Sequence, residues 1–146
     1  MEILRALDLS EPLTWFLVFH VKPSGKWFDW LSPGRFKHVS AFGYVPGFKS
    51  WVLYDAEWRG LRLFVATQDE AARQFQRYVA DGCSVLKVER RQEPMPLAMR
   101  LIGFHCLSAV AHLVGQREFV ISHDQLYRSL LRNGATVIAS QAAYRP

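Results

Sequence analysis

Residues 36–56, FKHVSAFGYVPGFKSWVLYDA, constrain the fold of this chain more than any other stretch. Two runs rich in aromatic and β-branched residues, His38–Tyr44 and Trp51–Asp55, flank a turn-forming Pro-Gly pair. This pattern predicts a buried antiparallel hairpin. A polar residue stands at each outer end, since His38 opens the first run and Asp55 closes the second. Antiparallel pairing would bring these two ends within about one register step of each other.

The His38–Asp55 pair suggests acid–base chemistry. A carboxylate beside an imidazole holds the ring in one tautomer and keeps it basic, which a general base requires. The best candidate for its partner is Cys106, because hydrophobic residues at 107, 110, 111 and 114 predict a helix that starts there. Unpaired amides and the helix dipole at such a position lower the pKa of a thiol and can form an oxyanion hole. A small buried cysteine without chemistry is the alternative.

Composition limits the chain to one domain and restricts the classes of molecule that it is expected to bind. With 146 residues, half of them hydrophobic, the chain can bury one core but hardly two. The net charge of +5 favours anionic partners, yet the basic residues are scattered, which makes nucleic acid an unlikely ligand. Two cysteines without a visible signal peptide predict reduced thiols in the cytoplasm. The apolar run Leu13–Val21 is too short to span a membrane.

Periodicity and capping patterns predict the remaining elements. Further strands are expected at Leu13–Val21, Leu61–Ala66, Cys83–Glu89 and Ala135–Ala139. Capping-box sequences at 67–70 and 122–125 start two helices, which end at Gly82 and at Asn133-Gly134. The polar segment 90–96, with two prolines, is predicted to be a surface linker within one domain.

This order of elements resembles the circularly permuted branch of the papain-like (NlpC/P60) superfamily. In that branch a histidine begins one strand, a polar residue ends the next, and the nucleophilic cysteine comes last at a helix N-terminus. His38 in KHVSAF stands at the family's histidine, and Cys106 in FHCLSAVAHLVG at its cysteine. Asp55 in VLYDA stands where the family usually has a glutamate followed by alanine, and Ser40 replaces a glycine. The resemblance covers roughly residues 13 to 131.

The resemblance implies an α+β papain-like domain over residues 1–146, with an antiparallel sheet of about five strands and the cysteine helix packed on it. It implies a thiol hydrolase acting on peptide, cell-wall amide or lipid acyl bonds through a thioester. Cys106 would be the nucleophile, His38 the base and Asp55 the residue that orients it. No cofactor or metal is expected, since these three residues lack the short ligand spacings of a metal site.

Other aromatic and histidine residues have more than one interpretation. Trp27 and Trp30, in the loop before the hairpin, either line the substrate site together with His20 or cap the sheet edge. His112 and His123 are assigned structural roles, the first off the buried helix face and the second inside a capping turn. The alternative to an enzyme is a structural or binding module that keeps the fold, for example in a phage particle or another assembly.

Overall fold

The computed structural model describes residues 12, 14–22, 34–57, 60–91 and 106–140. The strands are β1 (Thr14–His20), β2 (His38–Val45), β3 (Ser50–Glu57), β4 (Gly60–Ala66), β5 (Ser84–Glu89) and β6 (Thr136–Ala139). The helices are α1 (Gln68–Ala80), α2 (Cys106–Val114) and α3 (His123–Arg132). Trp27, Trp30 and residues 92–96 of the predicted linker lie outside the described residues.

The predicted hairpin is confirmed and lies inside the sheet. β2 and β3 pair antiparallel from Ala41↔Tyr54 to Val45↔Ser50, and a short 3-10 turn at Pro46–Phe48 joins them. Lys49 closes the turn in the left-handed region, with φ of 47°. β1 covers the other edge of β2, with His20 opposite His38. The two histidines are therefore cross-strand neighbours.

The sheet of the described residues has six antiparallel strands, in the order β4-β3-β2-β1-β5-β6, so the expected count of about five was wrong. The strand predicted at Ala135–Ala139 is the four-residue β6, so the count fell one short of the strands that the sequence patterns predict. β6 pairs with β5 across an irregularity between Val85 and Leu86. It forms because the outer edge of β5 would otherwise leave its backbone groups unpaired. The coarser prediction of an α+β fold on an antiparallel sheet is confirmed.

Helices cover both faces of the sheet. Alternate residues of a strand point to opposite faces, so Leu17 and Phe19 of β1 pack with α2 and α3 while Val18 packs on the α1 side. The larger core lies beneath α2 and α3, and its helical side chains include Leu107, Val110, Ala111, Val114, Leu126 and Leu130. The smaller core, beneath α1, includes Phe42 and Val85 with Phe75 and Tyr78 packed against them.

The capping box predicted for α1 is complete, whereas that predicted for α3 is only half formed. Thr67 and Glu70 form a complete capping box at the start of α1. At the start of α3, the Ser122 hydroxyl accepts a hydrogen bond from the backbone N–H of Gln125. The side-chain oxygen of Gln125 accepts from the backbone N–H of Ile121 and not from the backbone N–H of Ser122. α2 ends at Gly115, which has φ of +69° and no room for a side chain, because the Arg91 carbonyl lies 2.5 Å from the position of a Cβ.

Candidate active site

His38 and Asp55 form the hydrogen-bonded pair that the hairpin predicts. Continuing the β2–β3 register beyond Ala41↔Tyr54 sets Asp55 opposite Ser40, two residues along from His38 and on the same face of the sheet. His38 Nε2 lies 2.6 Å from Asp55 Oδ1. The two side chains are 20% and 30% exposed, so the pair is largely withdrawn from water. The contact is diagonal and offset by two residues, where the sequence predicts an offset of about one register step.

Electrostatics favour the charged form of this pair. Burial lowers the pKa of His38, but its hydrogen bonds to Asp55 and Cys106 outweigh burial and raise the pKa to about 10. Burial raises the pKa of Asp55, but the hydrogen bond and the charge of His38 outweigh that effect and lower it. At neutral pH the pair is therefore an imidazolium beside a carboxylate.

Cys106 lies at the first residue of α2, within hydrogen-bonding reach of His38. Because His38 Nε2 is bonded to Asp55, Nδ1 is the ring nitrogen left to face the thiol. The first amides of a helix have no partner within the helix, and the positive end of the helix dipole favours a thiolate at this position. Leu107 and Val110 hold this helix against the strand that carries His38. Sequence positions 38, 55 and 106 are thus brought together in one site.

His123 also contacts Cys106, and sequence reasoning missed it. Its Nε2 lies 3.2 Å from Cys106 Sγ, and the residue is 7% exposed. His123 is the first residue of α3, whereas the sequence suggests only a capping role. The segment 115–122 must run back along α2, whose nine residues span roughly 12–14 Å, to bring the two helix starts together. Nothing in the local sequence predicts that return.

His20 supports His38 from the neighbouring strand. The two ring centroids are 5.2 Å apart. His20 Nε2 lies 2.9 Å from Ser40 Oγ and Nδ1 lies 3.5 Å from Cys83 Sγ, so both ring nitrogens are engaged. Burial, followed by the charge on His38, lowers the pKa of His20 to about 4. His20 is therefore neutral at pH 7, and its expected contact with substrate stays a prediction.

Cys83 is the less reactive of the two cysteines. It is 4% exposed, as its interpretation as a small core residue predicts. Burial, with a smaller effect of Asp81, raises the pKa of its thiol to about 11. The two cysteines of the chain, both within the described ranges, form no disulfide. Only Cys106 combines partial exposure with a basic partner.

A cavity of about 250 Å³ opens next to Asp55 on the α1 side of the sheet. Its lining contains both polar and apolar side chains, among them Ser40, Asp55, Phe64, Gln74 and Tyr78. Burial raises the pKa of Tyr78, whose side chain hydrogen-bonds Gln74 and Ser40. The cavity therefore borders the carboxylate end of the site and not the thiol end. Trp27 and Trp30, the other predicted substrate contacts, lie outside the described residues.

No protein-family model, curated protein or solved structure matches this chain. Within the described ranges, no cluster of three or more His, Cys, Asp or Glu side chains is arranged to hold a metal ion. None of the helices in the same ranges is both long and apolar enough to cross a membrane. The functional assignment therefore depends on the geometry around Cys106.

Proposed function

We propose that this protein is a papain-like cysteine hydrolase of the permuted NlpC/P60 type. Cys106 is the nucleophile, His38 the general base and acid, and Asp55 the residue that orients His38. The observation that supports this function is the chain of hydrogen bonds from Asp55 through His38 to Cys106 at the start of α2. Two ionisable groups withdrawn from water are costly for a merely structural role, because a buried ion pair recovers little of its desolvation penalty.

Acylation begins from the ion pair of Cys106 thiolate and His38 imidazolium. The sulfur lone pair adds to the carbonyl carbon of an amide or ester, and the carbonyl π electrons move to oxygen. As the tetrahedral intermediate collapses, the bond to the leaving group breaks and His38 transfers its proton to that group. The products are a thioester at Cys106 and the free amine or alcohol. Asp55 keeps the imidazole ring in position throughout.

Deacylation uses the same two groups in reverse. His38, now neutral, takes a proton from water while the water oxygen adds to the thioester carbonyl. Collapse of the second intermediate breaks the carbon–sulfur bond and releases a carboxylic acid. The electron pair returns to sulfur, so the thiolate–imidazolium pair is restored. Candidate substrates are peptides, cell-wall amides and lipid acyl groups, and Trp27 and Trp30 are the proposed apolar contacts.

The test uses p-nitrophenyl acetate, a small ester that needs few binding contacts. Wild-type protein should release a burst of one nitrophenolate per chain and gain an acetyl group on the peptide that contains Cys106. Cys106→Ala should show neither effect, while Cys83→Ser serves as the matched control and should retain both. An absent burst, or acetylation of Cys83 in its place, would refute the assignment.

A non-enzymatic role in an assembly is the second candidate, and the exposed apolar side chains of β4 favour it. Leu61, Leu63, Phe64 and Val65 are between 52% and 72% exposed. Consecutive apolar residues on an edge strand are the kind of surface that pairs with another chain. If this role is the main one, Leu63→Lys with Val65→Lys should dissociate an oligomer in analytical ultracentrifugation and leave the alkylation of Cys106 unchanged. A wild-type monomer would rule out self-assembly.

A further inference from the structure

The sulfur of Cys106 has two imidazole neighbours, and the mechanism above uses one of them. His38 lies within hydrogen-bonding reach and carries the carboxylate partner Asp55. His123 lies 3.2 Å from the same sulfur through Nε2. The thiol has a single proton to give, and His38 is the imidazole with a carboxylate beside it, at 2.6 Å, to stabilise that proton on the ring. The second imidazole is therefore not needed as a base.

The protonation state of the Cys106 sulfur determines whether His123 donates or accepts the hydrogen bond between them. Once His38 holds the proton, the thiolate has no hydrogen to donate and is only an acceptor. His123 can then hydrogen-bond the sulfur only with a proton on Nε2, which makes His123 a donor directed at the reacting atom. Its burial, at 7% exposure, keeps water from competing for that donor.

The position of this donor suits the oxygen of the substrate as well as the sulfur. When the sulfur adds to a carbonyl carbon, the oxygen that becomes negative is only two bonds from Sγ. A ring nitrogen that lies 3.2 Å from Sγ can therefore donate its hydrogen bond to that oxygen in place of the sulfur as charge leaves the sulfur. His123 is also the first residue of the ten-residue helix α3, so the donor comes from a helix end that carries partial positive charge.

We propose that His123 is a catalytic residue of the site, whose Nε2–H stabilises the oxyanion formed when Cys106 attacks a carbonyl group. It would act together with the backbone N–H groups at the start of α2, so that donors from two helix starts surround the oxygen. This inference rests on the proposed hydrolase function, because it concerns the same reaction. It extends that function by adding His123 to the proposed catalytic residues Cys106, His38 and Asp55.

Two reactions at the same sulfur distinguish an oxyanion donor from a residue that only activates the thiol. Acylation by p-nitrophenyl acetate passes through an oxyanion, whereas alkylation by iodoacetamide does not. Both rates are measured on their high-pH plateau, where the thiolate is fully formed, and peptide mapping identifies Cys106 as the modified residue. The ratio of the two rates then reports oxyanion stabilisation alone.

The matched variants are His123→Met and His123→Gln, which have similar size but differ in the presence of an N–H donor. We expect His123→Met to lower acylation by roughly 100-fold or more while changing alkylation by less than about tenfold, as for loss of one oxyanion donor. His123→Gln, which retains a donor near the Nε2 position, should recover most of the acylation rate. Circular dichroism checks that each variant is folded, and if His123→Met does not fold, the Gln variant is compared with wild type alone.

Three results would overturn the inference. The first is a parallel fall of acylation and alkylation in His123→Met, which would make His123 a thiol-activating residue. The second is an acylation rate in His123→Gln as low as in the Met variant, or far below wild type where that variant is compared alone. The third is wild-type protein that alkylates at Cys106 but forms no acyl-enzyme, which refutes the hydrolase function and this inference with it. The first two leave the hydrolase function intact, so the two failures are distinguishable.

Discussion

Replacing Asp55 by Asn tests whether this carboxylate holds the proton on His38. The substitution keeps the size of the side chain and an acceptor oxygen, but removes the negative charge 2.6 Å from Nε2. Burial lowers the pKa of His38, and only the contacts with Asp55 and Cys106 oppose it. Without the charge on residue 55, only the contact with Cys106 still raises the His38 pKa against the effect of burial. The His38 pKa should therefore fall from about 10 toward neutrality.

The size of the effect follows from the loss of one adjacent charge. An opposite charge at this distance changes a pKa by about 1–3 pH units, and each unit is about tenfold in the equilibrium between the ion pair and the neutral pair. The thiolate form of Cys106 should thus become about 10 to 1,000 times less favoured relative to the thiol. By linkage each unit corresponds to about 1.4 kcal/mol, so the free energy of unfolding should fall by roughly 1–4 kcal/mol at pH 7.

Two measurements check this prediction. An NMR titration of the imidazole resonances, assigned with a His38→Gln variant, gives the pKa of His38 directly. The rate of iodoacetamide alkylation of Cys106 at neutral pH gives the thiolate population. Asp69→Asn, which makes the same charge change on the exposed first turn of α1, is the control and should change neither quantity. A His38 titration that is identical in wild type and Asp55→Asn would refute the reasoning.

Three further predictions follow. A thiol reagent at neutral pH should modify Cys106 faster than Cys83, which is 4% exposed and has a pKa near 11; peptide mapping that finds Cys83 labelled first would contradict this. Cys106→Ala should abolish p-nitrophenyl acetate turnover and His38→Ala nearly abolish it, without additive losses in the double variant and with near-native circular dichroism. Urea unfolding should show greatest stability near pH 6.5. The raised pKa of His38 gives stability that is lost as pH rises from about 6.5 to about 10, and the lowered pKa of His20 makes the fold less stable as pH falls from about 6.5 to about 4. The raised pKa of Cys83 adds a separate loss above pH 9, so between pH 6.5 and 9 His38→Gln should remove the slope, and a slope that persists there would refute its assignment.

The sequence predicts the parts of this site that depend on local patterns. Alternating apolar residues and a Pro-Gly turn specify the hairpin, and a hairpin fixes which residues of its two strands lie close together. The pairing of His38 with Asp55 therefore follows from about twenty residues of chain, although the contact is diagonal and not directly across. The buried stripe after Cys106 likewise predicts a helix start at that residue, which the structure has.

Other parts of the site depend on contacts that no local pattern encodes. His123 meets Cys106 because two helix starts converge after an eight-residue return, and its sequence context is that of an ordinary capping turn. The strand β6 is predicted at Ala135–Ala139, but its pairing with β5 is not, because the position of so short a segment in the sheet is decided by the partner strand. In both cases tertiary packing supplies the information that spacing along the chain lacks.

Ser40 is a polar residue with two hydrogen-bond partners inside the site. The resemblance places a small glycine at this position, but the Ser40 hydroxyl lies 2.9 Å from His20 Nε2 and also hydrogen-bonds Tyr78. A glycine there would remove this partner of a largely buried imidazole, which is costly. Ser40 and His20 thus satisfy each other's polar groups. Their effect reaches His38, since a charged His20 ring 5.2 Å away would repel the proton that His38 needs. Burial keeps His20 neutral, and the neutral ring packs against His38 without weakening its pairing with Asp55.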